Sequence, residues 1–312
     1  MRPAGAGGVR EQGMDDVRGT VCVVTGASSG IGKAVALALA GRGALPVMLS
    51  RDRPRGREAH RRARRLNPEA VWIPTDLSSP DSVRETAGRI LDAYGRCGRL
   101  FNCAGMLSVK RRTAPCGLEL MFAVNYLGHF LLTNLLFPAL RAGAPSRVIT
   151  VSGRRHRTAP GLAGRTVRLD DLQGKRRYRF VRQARQSVTA RILFTYELSR
   201  RWTNRGVGAC TVCPGLVRTG LAGDLPRFAR TAYRVGCALK GAVPPERAAA
   251  YLLDLAFRRS FEQVNGRYFE AHGGRLVEAV SSSESRDPGL AARLWEHSEL
   301  LAGLRAGRGR VG

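Results

Sequence analysis

With 312 residues, 44% of them hydrophobic, the chain is long enough to bury a substantial core, and it has no repeat or low-complexity block of domain size. Its formal charge of +28 is nearly all arginine, lysine standing only at 33, 110, 175 and 240, and the arginines run from Arg2 to Arg310 without the aromatic stripe of a single-strand binder. That pattern predicts no specific nucleic acid partner, only weak contact with polyanions or an anionic membrane surface.

The elements follow a βαβα order. Val21–Thr25 reads as β1, Lys33–Ala40 as a helix, Pro46–Ser50 as β2 and Val71–Pro74 as β3. Ser79-Pro80-Asp81 supplies an N-cap, a first-turn proline and an acid, and opens a helix toward Tyr94. Then come β4 at Leu100–Asn102, a buried helix over Gly117–Leu140 and β5 at Arg147–Val151. Another helix has its apolar face at Ile192–Trp202, followed by β6 at Val207–Val212, a helix over Pro244–Phe257 and a short β7 at Tyr268-Phe269. This order predicts an α/β, doubly wound Rossmann fold: a seven-stranded, mostly parallel sheet with helices on both faces. One domain over 19–304 is expected, with flexible tails at 1–18 and 305–312.

No stretch reaches the roughly 18 apolar residues of a spanning helix, and the first thirteen residues lack the apolar core of a signal peptide. The seven cysteines lack metal-ligand spacing, so no metal site is read; they look like free thiols of a reducing compartment. A cytoplasmic protein is expected, with peripheral membrane contact left open.

Directly after β1 stands Thr25-Gly26-Ala27-Ser28-Ser29-Gly30-Ile31-Gly32, a G-x-x-x-G-x-G loop opening a helix. Glycines there let backbone approach a pyrophosphate, and the helix N-terminus offers free N–H groups. The spacing resembles the short-chain dehydrogenase/reductase family, and further marks fall in order. Asp76-Leu77 resembles its adenine-binding site, Asn102-Cys103-Ala104-Gly105 its NNAG motif, Asn125 its helix asparagine, and Pro214-Gly215-Leu216-Val217-Arg218-Thr219 its nicotinamide-binding turn. The resemblance therefore implies a dinucleotide held by Gly26, Ser28, Ser29, Gly30, Ile31, Gly32, Asp76, Leu77, Asn102, Ala104, Gly105, Pro214, Gly215, Val217 and Thr219. After β2, Arg51 stands where an acid would bond a free ribose hydroxyl, which favours NADP(H) over NAD(H), and Lys33 adds a second cation.

Within the family the chain is similar to the retinol dehydrogenase branch, through GASSGIGK, FAVNYLGHFLLTNLLFPAL, DDLQG, ILFTYELSRRW, CPGLVRT, NGRYF and LWEHSELL. Membership implies NADP-dependent oxidoreductase chemistry on CH–OH groups, using a serine, a tyrosine and a lysine four residues later. Registers anchored on Asp171-Leu172-Gln173-Gly174 and on Ile192-Leu193-Phe194-Thr195 agree that these positions hold Gly153, Ala184 and Val188. Of the tetrad only Asn125 remains. Ser152 adjoins Gly153, but strand alternation turns it to the other face; Tyr178 and Arg182 form the one Y-x-x-x-R.

Two readings follow. In one, the chain binds NADP(H) but has lost or greatly reduced its hydride transfer. In the other, it remains an active NADP(H)-dependent oxidoreductase on retinal-like or other lipophilic aldehydes and alcohols, with a noncanonical proton donor. A basic insert spans Gly153–Asp170, and residues 220–243, with Leu221, Leu225, Phe228, Tyr233 and Leu239, form a substrate-lid segment that suits a lipophilic small molecule or an anionic membrane. The resemblance also implies a homodimer through the helices after β4 and β5, which the apolar run Phe130–Leu136 permits.

Overall fold

The computed structural model describes residues 17–157, 165–222, 231, 235–236 and 241–304. The tails apart from Val17 and Arg18, residues 158–164 of the basic insert and most of the expected lid, including Leu225, Phe228, Tyr233 and Leu239, lie outside them. Val17 is only 4% exposed and packs against the core.

Eight strands form one sheet in the order β3-β2-β1-β4-β5-β6-β7-β8. They are β1 Val21–Thr25, β2 Leu45–Ser50, β3 Val71–Pro74, β4 Arg99–Asn102, β5 Ser146–Val151, β6 Val207–Cys213, β7 Arg267–His272 and β8 Arg275–Glu278. Neighbours from β3 to β7 pair in parallel, and β8 pairs antiparallel with β7. The expected seven strands are thus eight. The hairpin turns on Gly273 and Gly274, both at positive φ, a conformation that glycine alone adopts at little cost. Three of β8's four residues are exposed, so it lacks the alternation that marks a half-buried strand.

Alternate side chains of the central strands feed two cores, one on each face. Val21, Val23, Val47, Leu100 and Val148 meet Phe130, Phe194 and Trp295 in one core. Cys22, Val24, Met48, Phe101 and Ile149 meet Val35, Leu39, Leu252 and Phe257 in the other.

The helices are α1 Gly30–Ala40, α2 Arg53–Leu66, α3 Pro80–Tyr94, α4 Gly128–Leu135, α5 Phe180–Trp202 and α6 Pro245–Leu253, with Pro288–Leu301 near the end. The arginine-dense α2 did not read as a helix because its buried face is only Gly56, Ala59 and Ala63. A Cβ on Gly56 would stand 2.7 Å from the Trp72 ring, which shows how close α2 lies to the sheet. The region expected as one helix over Gly117–Leu140 is broken: Leu120–Phe122 leads into a π turn over Ala123–Leu127 before α4, and Phe137–Ala142 follows.

Helix α5 begins twelve residues before Ile192. Its first turns look polar, yet they are buried by exchange of hydrogen bonds. Gln183 Nε2 donates to Glu119 Oε2 (2.8 Å), Gln186 Nε2 to the Leu172 carbonyl (2.9 Å) and Arg185 Nε to the Arg155 carbonyl (3.2 Å). The run Phe130–Leu136 is largely spent inside the subunit, where Phe130, Leu131, Leu132 and Leu136 are at most 2% exposed. Among the described residues no helix is long and apolar enough to cross a membrane, and no metal-ligand cluster occurs.

Candidate functional site

The strand order reverses between β1 and β4, and the carboxyl ends of the strands open there into a cleft of about 660 Å³. Its first wall is the loop between β1 and α1. A Cβ on Gly32 would stand 2.6 Å from the Gly26 carbonyl oxygen, and one on Gly26 would stand 2.8 Å from the Ala104 Cα. Gly30 takes a positive φ of 54°. Ser29 caps α1 without a side-chain bond, so the first-turn N–H groups of the helix have no capping acceptor from it. Backbone this close, ending in free donors at a positive dipole end, fits a dinucleotide's pyrophosphate.

The second wall lies past β2 and β3. Arg51 is exposed and lines the cleft beside Asp52 and Arg55. Asp52 is already engaged: it caps α2 by accepting from the Arg55 N–H (2.9 Å) and takes the Arg55 guanidinium on its other oxygen (2.6 Å). The bonds from Arg55 hold its carboxyl below the usual carboxylate range. Arg51 is therefore left to meet an anion. Lys33, expected to assist, turns instead toward Glu58 (3.4 Å) and does not line the cleft. Asp76 and Leu77 do line it, with Asp76 Oδ1 fixed by the N–H and hydroxyl of Ser78 (2.9 and 2.7 Å).

Ala104, Gly105, Pro214, Gly215, Val217 and Thr219 complete the expected lining. Asn102 does not join them. It is fully buried at the end of β4, with Nδ2 3.3 Å from the Thr133 hydroxyl, so it supports the strand from within the core.

Asn125, Gly153, Ala184 and Val188 all line the far end of the cleft. Asn125 lies in the π turn, and its amide is held by Met106: Oδ1 accepts from the Met106 N–H (2.8 Å) and Nδ2 donates to the Met106 carbonyl (3.0 Å). Apart from its own chain neighbours, no heavy atom of the described residues lies within 4 Å of where a Cβ on Gly153 would stand. Ala184 is packed among Leu107, Met121, Phe180 and Leu221. Ser152 lines the cleft too, contrary to the alternation argument, because β5 ends at Val151; its hydroxyl donates to the Val188 carbonyl (3.3 Å). Tyr178 stays outside the lining, precedes α5, and donates to the Ser108 carbonyl (2.6 Å). It therefore shares no helix face with Arg182.

Sequence reasoning missed Arg191. It stands on α5 seven residues after Ala184 and three after Val188, a spacing that puts all three on one stripe of the helix. Its Nη1 donates to the Val151 carbonyl (2.7 Å), its Nε to the Asn125 carbonyl and its Nη2 to the Ala104 carbonyl. It is 7% exposed, and burial pushes its pKa down to about 10, still protonated at neutral pH. Beneath it, His129 Nδ1 donates to the same Asn125 carbonyl (3.2 Å). His129 Nε2 is then the acceptor for the Thr25 hydroxyl (2.9 Å), which in turn accepts the Cys103 and Ala104 N–H groups. Burial holds His129 neutral, at about 3.

Of the ordinary proton donors, the described lining of this end offers only thiols. Burial pushes Cys103 up to about 12 and raises Cys213 as well. Asp52 and Asp76 stand at the opposite end, past β2 and β3.

Residues 20–159 match the family model described as short chain dehydrogenase. The chain is 37% identical over 299 residues to human "Retinol dehydrogenase 13", covering 93% of this chain and 86% of that protein. It is 38% identical over 305 residues to cattle "Dehydrogenase/reductase SDR family member 13", covering 95% and 76%. Among solved structures it resembles an uncharacterized protein from Mycobacterium paratuberculosis at 31% identity and TM-score 0.72, covering 93% of this chain and 96% of that one. The fold is shared with a Burkholderia cenocepacia short chain dehydrogenase crystallised with NADP, at 22% identity and TM-score 0.66, covering 83% and 99%.

Proposed function

The chain belongs to the short-chain dehydrogenase family as a relative of the retinol dehydrogenases, and from that premise we propose that it binds NADP(H) while its carbonyl and alcohol hydride transfer is lost or strongly reduced. The family's nicotinamide cofactor fits the loop from Gly26 to Gly32, and when bound it supplies the hydride. Arg51, left open by the pairing of Asp52 with Arg55, supports NADP(H) over NAD(H) through a charge-assisted contact to a 2′-phosphate.

The observation that carries the reading is the wall formed by Gly153, Ala184 and Val188. Two of the three side chains end at or before a methyl group and the third is an aliphatic fork, so none holds a carbonyl oxygen or moves a proton. Removing a positioned general acid costs on the order of 10² to 10⁴ in rate, and parts of one unit fail together. Ser152 keeps a hydroxyl on the wall, yet it donates to the Val188 carbonyl and has no base beside it. Met106, Leu107, Val124, Leu216 and Leu221 give this end an apolar lining that suits a lipophilic ligand of the kind the retinol dehydrogenase relatives are named for.

Fluorescence titration with NADPH, paired with a turnover assay over retinal and a panel of apolar aldehydes, tests the reading. Micromolar binding without turnover, and turnover gained in Gly153→Ser/Ala184→Tyr/Val188→Lys, is the expected result. Measurable wild-type reductase activity would overturn the loss, and absence of NADPH binding would overturn the cofactor assignment.

A further inference from the structure

Arg191 is a cation buried at the far end of the cleft, with no carboxylate among the described residues to balance it. Its three recorded partners are neutral carbonyls, and no ion pair to it occurs among the described residues. The acids that line the cleft, Asp52 and Asp76, stand after β2 and β3, and Asp52 is already neutralised by Arg55. The other charged side chains that line the cleft at Arg191's own end, Arg154 and Arg155, are also positive, and the nearby Glu270 pairs with Arg154 (3.7 Å). The guanidinium faces the cleft at Gly105: its Nη2 lies 3.6 Å from where a Cβ on that glycine would stand.

We propose that Arg191 makes the cleft selective for the reduced, uncharged nicotinamide ring over the oxidised, positively charged one. The inference rests on the NADP(H) reading above and on the family resemblance, by which the ring would meet the turn at Pro214–Thr219. Oxidised and reduced cofactors share every phosphate and both riboses, so their contacts with Gly26–Gly32 and Arg51 cancel in a comparison of the two. What differs is one unit of charge on the ring. A fixed guanidinium lining the same cleft, only 7% exposed and with no counter-ion among the described residues, would repel that charge by an amount worth on the order of tenfold or more in affinity at the effective dielectric of a protein interior. Burial makes the repulsion less sensitive to salt than a surface pair would be. Arg191 also stands one turn below Val188, so the chain carries its cation deeper in the wall than the lysine that the family resemblance implies. Such a site keeps NADPH resident and releases NADP⁺, which suits a protein that senses or stores the reduced cofactor.

The test is the ratio of dissociation constants, NADP⁺ over NADPH, measured on the full chain by NADPH fluorescence and by displacement with NADP⁺. Wild type is expected to show a ratio of about ten or more. The ratio should survive in Arg191→Lys and fall to within about threefold of unity in Arg191→Gln. Val188→Glu, which adds a counter-charge three residues away on the same helix stripe, should narrow the ratio as well, and it keeps the test decisive if Arg191→Gln does not fold. Equal affinities in wild type, or a ratio that neither substitution moves, overturn the inference while leaving the NADP(H) reading in place. Binding of neither form by wild type overturns that reading, and the inference with it.

Discussion

The guanidinium of Arg191 donates through Nε to the backbone carbonyl of Asn125, a carbonyl that also receives Nδ1 of His129. The contact joins a π turn to the regular helix α5. The π turn over Ala123–Leu127 carries Asn125, and the small residues Ala184 and Val188 stand on the helix stripe above Arg191. The resulting wall is held by a cation bonded to three carbonyls, from the loop after β4, from β5 and from the π turn.

That bonding predicts the cost of removing it. Arg191→Met relieves a desolvated charge, but it strips the Val151 and Ala104 carbonyls of their guanidinium donor and leaves the Asn125 carbonyl only His129. Each orphaned buried acceptor is costly, and water from the cleft recovers part of the loss, so a destabilisation of about 1–3 kcal/mol is expected. Urea unfolding of wild type and variant measures it; a variant as stable as wild type would show that the three bonds contribute nothing net.

Two glycines of the cleft should respond in opposite ways to an added side chain. In Gly32→Ala the new methyl meets two backbone carbonyl oxygens, at 2.6 and 2.7 Å, so the phosphate loop must shift. NADPH affinity should drop at least about tenfold, with a loss of roughly 1–3 kcal/mol in stability. Gly153→Ser meets no close neighbour among the described residues and should change stability by no more than about 0.5 kcal/mol. Thermal melts and NADPH titrations of the pair test this contrast, and equal behaviour of the two variants would refute it.

The dinucleotide end of the cleft was legible in the sequence because its demands are local: glycines at fixed spacing after an apolar strand, and a basic residue at the end of β2. At the far end the sequence pointed to Gly153, Ala184 and Val188 by register alone, and all three line the cleft. Arg191 gave no signal, being one arginine in an arginine-rich chain, and its role depends on carbonyls 40, 66 and 87 residues away. Polar residues hid the start of α5 for a related reason. Gln183, Arg185 and Gln186 are buried by partners distant in sequence, and periodicity does not record partners. The helix α2 and strand β8 escaped because one buries only small residues and the other buries almost none.

Cofactor preference should follow Arg51. Asp52 keeps both oxygens on Arg55, so Arg51→Glu places an uncompensated acid where a 2′-phosphate would lie. NADPH affinity should fall at least about tenfold, the weight of one hydrogen bond to a charged group, while NADH affinity stays within about threefold. Parallel titrations with the two nucleotides decide it. An equal fall for both would mean that Arg51 does not read the phosphate.

Protonation of His129 should govern part of the acid response. Burial lowers its pKa to about 3 in the folded chain, against about 6.5 when unfolded. Between these values the unfolded chain holds a proton that the folded chain does not, so stability is complete above about pH 6.5 and declines as pH falls toward 3. The slope approaches about 1.4 kcal/mol per pH unit for this one group. His156, lowered to about 4 chiefly by burial, acts in the same direction. Glu119, raised by burial, opposes both. The informative quantity is therefore the difference between wild type and His129→Gln, with unfolding free energies measured by urea from pH 5 to 6.5. That interval lies above the range in which Asp52 and Glu270, both held low, take up protons. His129→Gln keeps an amide for the Asn125 carbonyl and has no group to titrate, so its slope should be smaller by about one proton. Identical slopes would mean that His129 is protonated inside the folded chain, and then its Nε2 could not accept from Thr25.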